Sequence, residues 1–377
     1  MTLVRGQGAW VWDDQGRQFL DFVGGWAVNS LGHCPPVVVE ALAKQAKTLI
    51  QTSNQFYTIP QVELAQLLIE HSCLDRVFFC NSGAEANEGA VKLARRYGKL
   101  QLNGAYEVIT TYNSFHGRTL AMTAATGQRK FQEAYVPLPT GFVNVEYDNV
   151  EAIKRATNEQ TCAVMLEPIQ GEGGVNVPDA DYLKKVQSWC RERRILFMLD
   201  EIQTGIGRTG TLFAYEQYGV EPDVMTLAKG LGSGVPIGTI LARENVSVFS
   251  PGDHGSTFGG NPLVCAAAYA TLRYILDNDM PGKVNRVGNY FMTRLESLKQ
   301  KFDSIAEVRG RGFLIALEFN KEIAEKLVLD CLGRGLLVNK VKPNALRFMP
   351  PLITTEKEVD KAIGILGDAL EEMRNAK

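Results

Sequence analysis

The sequence has few histidines and no patterned cysteines, and both shortages exclude classes of site. Its four histidines lie far apart, and its seven cysteines contain no C-x-x-C pair and no metal-ligand spacing. We therefore expect no metal centre. An odd, scattered set of cysteines is typical of reduced thiols, which predicts a cytoplasmic protein.

Long apolar runs and an excess of charge of one sign are absent as well. No apolar run approaches the ~18 residues of a membrane span, and the first residues lack the pattern of a secretion signal. The net charge is −2 at pH 7 and no basic stripe is present, so neither a membrane nor a nucleic acid is an expected partner. A hydrophobic content of 45% is ordinary for a globular protein.

The central part of the chain has the pattern of two buried strands, each followed by a reactive side chain. Ile195–Leu199 is continuously apolar, as in a parallel strand, and Asp200 follows it directly. A second apolar segment, Val224–Leu227, is followed by Lys229. Because ligands bind at the carboxyl ends of such strands, Asp200 and Lys229 are expected to face the same ligand.

Pyridoxal 5'-phosphate is a cofactor that needs both of these groups. Its aldehyde forms a Schiff base with a lysine amine, and its pyridine nitrogen needs a carboxylate to stay protonated. We predict that Lys229 binds the aldehyde and that Asp200 faces the ring nitrogen. Each residue alone also has an ordinary interpretation, a surface lysine after a strand or a helix-capping aspartate.

A glycine-rich segment between these two residues supports a different hypothesis, a dinucleotide-dependent oxidoreductase using NAD. The spacing Gly205-x-Gly207-x-x-Gly210 matches the dinucleotide fingerprint. That fingerprint should begin a helix directly after the strand, whereas residues 200–203 intervene here. A flexible glycine loop is the simpler interpretation.

Three further predicted strands end in loops that suit a ligand. Residues 81–88 contain the capping box Ser82-x-x-Glu85, and the helix start that it predicts could bind a phosphate. Residues 112–119 carry an aromatic, a histidine and an arginine, which suits ring stacking beside a carboxylate clamp. In residues 167–174, Glu172 lies among glycines, so its loop can approach a ligand closely.

The alternation of strands and helices predicts the architecture. From about residue 77 to 242 it is typical of a mostly parallel sheet with helices on both faces, and the later pattern is α+β. We expect an N-terminal segment (1–45) packed with a small C-terminal α+β domain (263–377), and a large cofactor-binding α/β domain between them (46–262). Trp26 belongs either to the substrate pocket or to ordinary packing.

Together these motifs resemble those of the class III pyridoxal-phosphate aminotransferases of fold type I, and most closely the acetylornithine aminotransferases. The resemblance covers almost the whole chain. It is carried by residues 81–88, 114–119, 167–174, 200–205, 228–230 and 256–262. A catalytically silent homologue that serves only in binding is an alternative from another functional class.

The resemblance implies a role for individual side chains around the cofactor. Lys229 would be the Schiff-base lysine and Asp200 the partner of the pyridinium. Gln203 would contact the ring hydroxyl and Phe115 would stack on the ring. The phosphate would be held by Ser82, Gly83 and Ala84, and by Thr257 from the second subunit of a homodimer with shared active sites.

The resemblance also implies a reaction, in which N2-acetyl-L-ornithine and 2-oxoglutarate give N-acetyl-L-glutamate 5-semialdehyde and L-glutamate in arginine biosynthesis. Arg118 and Ser256 would hold the carboxylate end of the donor. Arg347 would bind the α-carboxylate of 2-oxoglutarate or glutamate, and Glu172 would pair with Arg347 when the ω-amine is bound. Ornithine, succinylornithine, 4-aminobutyrate and carrier-bound lysine are alternative donors.

Overall fold

The structure, a computed structural model, describes residues 1–375. Its strands are Leu3–Gln7 (β1), Trp10–Asp13 (β2), Gln18–Asp21 (β3), Arg76–Cys80 (β4), Glu107–Thr111 (β5), Phe142–Val145 (β6), Thr161–Leu166 (β7), Leu196–Asp200 (β8), Val224–Leu227 (β9), Gly238–Ala242 (β10), Ile305–Arg311 (β11), Leu314–Phe319 (β12), Leu336–Leu337 (β13), Asn339–Lys342 (β14) and Ala345–Phe348 (β15).

The α-helices lie between these strands and at the C-terminal end. They are Pro36–Ala46 (α1), Ile59–Glu70 (α2), Gly83–Gln101 (α3), Leu120–Ala125 (α4), Arg129–Gln132 (α5), Val150–Ala156 (α6), Tyr182–Arg193 (α7), Tyr215–Tyr218 (α8), Pro262–Asp277 (α9), Met280–Lys301 (α10), Ala324–Gly333 (α11) and Glu356–Asn375 (α12). No helix within residues 1–375 is long and apolar enough to cross a membrane.

A seven-stranded sheet forms the centre of the molecule, in the order β4-β10-β9-β8-β7-β5-β6. All neighbouring pairs are parallel except those that β10 makes with β4 and β9. Every residue of β7, β8 and β9 is buried, which explains their continuous apolar sequences. On β8, Phe197 and Leu199 pack into one core, whereas Leu196 and Met198 pack into the other. The predicted doubly wound α/β architecture is confirmed.

Two smaller sheets accompany the central one. The first has the order β1-β2-β3-β13, and the second, which is antiparallel, has the order β11-β12-β15-β14. Strand β13 pairs in parallel with β3, so the N-terminal segment shares a sheet with the C-terminal part of the chain. This pairing supports the predicted association of the two segments, although the domain limits themselves stay a prediction.

Three local features could not be predicted from the sequence patterns. Helix α3 continues past Gly98 to Gln101, and Gly98 serves close packing, since a Cβ there would lie 2.0 Å from the Ala105 carbonyl oxygen. Strand β1 is mostly exposed and has no apolar alternation, so the sequence did not predict it. Residues 24–27 form a left-handed turn with φ between 56° and 66°.

Candidate active site

One cavity opens at the carboxyl ends of the central strands, beside the N-terminus of α3. It brings together side chains that come from loops far apart in the sequence. The lining residues that the sequence singled out are Ser82, Gly83, Ala84, Phe115, Arg118, Glu172, Asp200, Gln203 and Lys229. Ser256, Thr257 and Arg347, which were also predicted to belong to the site, are not among the residues that line it.

Asp200 ends β8, and its carboxylate has a fixed orientation. Oδ2 accepts hydrogen bonds from Nδ1 of His116 at 2.8 Å and from Nδ2 of Asn87 at 2.7 Å. Oδ1 accepts the backbone N–H of Ile202. The Asn87 amide is oriented in turn, because the Thr226 hydroxyl donates to its oxygen at 2.7 Å. The residue is 3% exposed, so its carboxyl group is presented to the cavity within a buried hydrogen-bond network.

Lys229 follows β9 in a conformation that favours glycine, with a φ of 40°. Burial lowers the pKa of its ammonium, and Arg347 adds to this effect, while Glu172 and Asp200 oppose it. A lowered pKa raises the fraction of neutral amine, the form that reacts with an aldehyde and accepts a proton. The strained backbone points to a functional constraint at this position.

The N-terminus of α3 lies at one end of the cavity. The Ser82 side chain accepts the Glu85 N–H at 3.2 Å, whereas the Glu85 carboxylate bonds to Asn81, so only half of the predicted capping box forms. The first-turn N–H groups of Gly83 and Ala84 have no intrahelical acceptor, and both residues line the cavity. A phosphate fits there.

Phe115 and Arg118 form the side of the cavity that the loop after β5 provides. The Phe115 N–H donates to the Glu167 carboxylate at 3.1 Å, which fixes this part of the loop. The guanidinium of Arg118 lies over the rings of Phe115 and Phe131, at 5.5 and 4.3 Å from their centroids. Arg118 therefore presents a positive charge at the cavity wall.

Glu172 forms an ion pair with Arg347, whose guanidinium is completely buried behind the cavity. Their closest atoms, Oε1 and Nη1, are 2.7 Å apart. Burial alone would raise the pKa of Glu172, but the guanidinium lowers it below its ordinary value. Oε1 of Gln203 accepts from Nη1 of Arg347 at 3.2 Å. A Cβ at position 171 would lie 1.8 Å from that oxygen, so a larger residue than glycine there would displace the Gln203 amide.

Sequence reasoning missed three buried residues of the site. His116 and Asn87 were seen only as parts of motifs, although they hold Asp200. Glu167 accepts the N–H groups of Phe115 and Gly171, so it connects two loops of the site, and burial raises its pKa to about 7. A glutamate at the end of an apolar strand, directly before a proline, was the only signal.

Ser256 and Thr257 lie elsewhere, on a second cavity that residues 53–57 also line. Oγ of Ser256 accepts from the Asn81 side chain at 3.1 Å, and the carbonyl oxygen of Thr257 accepts from Gln51. Trp26 is half exposed and does not line the first cavity. Within one chain, these three residues are outside the site.

The family model for "Aminotransferase class-III" matches residues 1–370. The chain belongs to the class III aminotransferases. Acetylornithine aminotransferases from Caldanaerobacter subterraneus subsp. tengcongensis and Methanocaldococcus jannaschii are 52% and 50% identical to it. The alignments cover 99% of this chain in both cases, and 95% and 94% of the relatives.

Solved structures agree with this membership. The ornithine aminotransferase of Toxoplasma gondii superposes with a TM-score of 0.96 at 36% identity, covering 100% of this chain and 91% of that one. The N-acetylornithine aminotransferase of Stenotrophomonas maltophilia superposes with a TM-score of 0.88 at 39% identity, covering 100% of this chain and 97% of that one. A second T. gondii structure is described as having pyridoxal phosphate in its active site.

These findings confirm that this class III aminotransferase is an enzyme of fold type I that uses pyridoxal phosphate. The cavity fits that cofactor, because a lysine, a carboxylate and a phosphate-binding turn line the same space. The dinucleotide hypothesis is not supported, because the glycine segment at 205–210 does not begin a helix. The next helix along the chain is the short α8, Tyr215–Tyr218.

Proposed function

We propose that this aminotransferase transfers the ω-amino group of N2-acetyl-L-ornithine to 2-oxoglutarate, giving N-acetyl-L-glutamate 5-semialdehyde and L-glutamate. The observation that supports a donor reacting through its ω-amine is the ion pair between Glu172 and Arg347. The relatives at about half identity, which are named acetylornithine aminotransferases, support this donor and a place in arginine biosynthesis. Ornithine is the second candidate donor, because the T. gondii ornithine aminotransferase superposes so closely.

Five groups of the cavity would hold the cofactor. Bound pyridoxal phosphate supplies an aldehyde that condenses with amines and a ring that accepts an electron pair from the reacting carbon. We assign the aldehyde to Lys229, the ring nitrogen to Asp200 and the ring hydroxyl to Gln203. Phe115 would cover one ring face, and the turn at Ser82, Gly83 and Ala84 would bind the phosphate. The Lys229 amine would also carry the proton between substrate carbon and cofactor.

The buried pair explains how one site accepts two unlike substrates. The carbon that bears the ω-amine has no carboxylate, so Arg347 facing it alone would be an uncompensated buried charge. Glu172 neutralises that charge while the donor reacts. Glutamate brings an α-carboxylate to the same place, and Glu172 must then move aside. Arg118 would hold the distant carboxylate of the donor. Ser256, which lies on the second cavity of its own chain, would join it from the second copy of a homodimer.

Glu172→Ala should separate the two half-reactions. Arg347 then stays exposed to the substrate, so the reaction with glutamate should speed up and that with N2-acetylornithine should slow down. We expect the ratio of their kcat/KM values to change at least about tenfold, or ~1.4 kcal/mol. Stopped-flow measurement of the cofactor's visible absorption follows each half-reaction with one substrate at a time.

Arg347→Ala is the matched reverse variant. It should weaken the binding of 2-oxoglutarate while sparing the half-reaction with N2-acetylornithine. The proposal that Glu172 and the substrate carboxylate alternate as partners of Arg347 is refuted if Glu172→Ala slows both half-reactions by the same factor. The same measurement with ornithine, succinylornithine and 4-aminobutyrate tests the donor. A higher kcat/KM for one of these than for N2-acetylornithine would replace the donor but leave the role of the ion pair intact.

We also propose a homodimer whose second copy covers the cavity at residues 53–57. Phe56 and Tyr57, which line this cavity, are 66% and 93% exposed, and Ile59 nearby is 74% exposed, a large apolar surface for a single chain. Thr257 lies on the same cavity, so it could reach the phosphate in the partner's site. A cytoplasmic location stays a prediction from the seven free cysteines.

Mixing two inactive variants should restore activity if the sites are shared. Lys229→Ala inactivates the chain that holds the cofactor, and Thr257→Asp places a negative charge where the other chain's phosphate would bind. A heterodimer then has one site with neither change, so up to about half of the activity per heterodimer should return. Subunit exchange is checked by native mass spectrometry. Confirmed exchange without recovered activity would place Thr257 outside the partner's site.

A further inference from the structure

The hydrogen bonds of Arg347 are distributed unevenly over its guanidinium. Nη1 contacts Glu172 and Gln203, and Nε donates to Oδ1 of Asn339 at 3.2 Å. Nη2 is buried without a hydrogen-bond partner in the part of the chain that the structure describes. A buried donor of this kind needs an acceptor, and a substrate carboxylate would supply one.

Asn339 is held in place by the sheet that also carries Arg347. It lies on β14, directly opposite Arg347 on β15 in the antiparallel register. Its Nδ2 donates to the carbonyl oxygen of Lys340 at 3.2 Å, which leaves Oδ1 directed at the guanidinium. Both contacts are made within one sheet, so they do not depend on the position of the loop that carries Glu172.

We propose that Asn339 is a positioning residue for the carboxylate-binding guanidinium of Arg347. When Glu172 withdraws for a keto acid, Asn339 still accepts from Nε and keeps the guanidinium plane directed at the cavity. A neutral amide can do this without cancelling the positive charge. A carboxylate at the same position would form a permanent ion pair and compete with the substrate. This inference rests on the proposed role of Arg347.

Replacing Asn339 by Asp and by Ala tests the difference between orientation and charge. Asn339→Asp keeps the size of the side chain but gives Arg347 a fixed negative partner. Binding of 2-oxoglutarate and glutamate should weaken at least about tenfold, while the half-reaction with the ω-amine stays within about threefold. Asn339→Ala removes only the acceptor, so the same binding should weaken by a smaller factor, about three- to tenfold.

Lys340→Gln is the control, since it changes the net charge by the same amount on the neighbouring residue of β14, whose ammonium forms an ion pair with the exposed Glu325. It should leave both half-reactions unchanged. Stopped-flow titrations with each substrate give the saturation constant and the limiting rate separately. A merely structural role of Asn339 would alter both half-reactions together, and that result overturns the proposal.

Arg347→Ala separates a failure of this inference from a failure of the proposed function. If Arg347→Ala binds 2-oxoglutarate as tightly as the unmodified enzyme, both are overturned. If Arg347→Ala weakens this binding tenfold or more while Asn339→Asp behaves like Lys340→Gln, the function stands and the role of Asn339 is overturned. If Asn339→Asp does not fold, Asn339→Ala takes its place in the test. The role of Asn339 is then overturned if Asn339→Ala binds 2-oxoglutarate as tightly as Lys340→Gln does.

Discussion

Lys229→Ala should lower kcat by at least about 10³-fold while the protein stays folded. The buried amine of Lys229 lines the cavity with a lowered pKa, so neutral amine is available both to hold the cofactor aldehyde and to carry the proton. Alanine can do neither. Glutamate formation measures turnover, and absorption titration measures the cofactor affinity, which should also fall. Circular dichroism checks that the fold is kept.

Lys283→Ala is a suitable control for this prediction. Lys283 is another partly buried lysine whose pKa is lowered by burial, but its ammonium donates to the Ile353 carbonyl oxygen and it does not line the cavity. Borohydride reduction should attach the cofactor covalently to Lys229 in the unmodified protein and in Lys283→Ala, as peptide mass spectrometry would show. Normal turnover in Lys229→Ala would refute the assignment of the lysine.

The strand-end residues were predictable because their signals are local. Ile195–Leu199 is apolar throughout since β8 is buried on both faces, and the strand ends where the polar Asp200 appears. The same pattern before Lys229 identified β9. Parallel neighbouring strands end at one edge of a sheet, so the expectation that these two residues face one ligand required no knowledge of strand order.

Contacts between distant segments could not be predicted in the same way. The bond between Asn339 and Arg347 depends on the register of β14 against β15. Pro343-Asn344 is typical of a turn between them, but the irregularity between Lys340 and Lys342 shifts the register in a way that the sequence does not show. Strand β10 lies between β4 and β9 and reverses direction, although it follows β9 in the chain. Asn87 and His116, which hold Asp200, come from α3 and from the loop after β5 respectively, so only the folded chain shows their partnership.

The turn at residues 24–27 shows how hydrogen bonds to a nearby side chain accompany a backbone conformation that non-glycine residues rarely adopt. Glycine accepts a left-handed conformation readily, but Trp26 and Ala27 adopt it here at about 1–2 kcal/mol each. The Asp21 carboxylate accepts the N–H groups of Val23 and Gly24, both at 2.9 Å, and so fixes the start of the turn. Paired glycines such as Gly24-Gly25 are typical of a loop, but they do not show that the left-handed conformation continues through the next two residues.

Asp200→Asn should be nearly as damaging as the loss of the lysine, but with the cofactor still bound. The carboxylate is oriented by His116 and Asn87, and its charge would keep the ring nitrogen of the cofactor protonated. A neutral amide cannot stabilise that charge. One pKa unit corresponds to ~1.4 kcal/mol, so a loss of two to three units of ring basicity should lower kcat by about 100- to 1,000-fold.

Asp223→Asn distinguishes this electrostatic effect from the loss of any strand-end carboxylate. Asp223 is half-buried at the opposite end of β9, where it accepts the Phe197 N–H at 2.8 Å, and it does not line the cavity. Its variant should keep both kcat and the visible spectrum. In Asp200→Asn, by contrast, the pH at which the cofactor's visible band changes should shift, because the ring has lost its anionic partner. If cofactor stays bound and kcat falls less than about tenfold, the ring nitrogen does not depend on Asp200, and a different acid must be sought among the residues of the cavity.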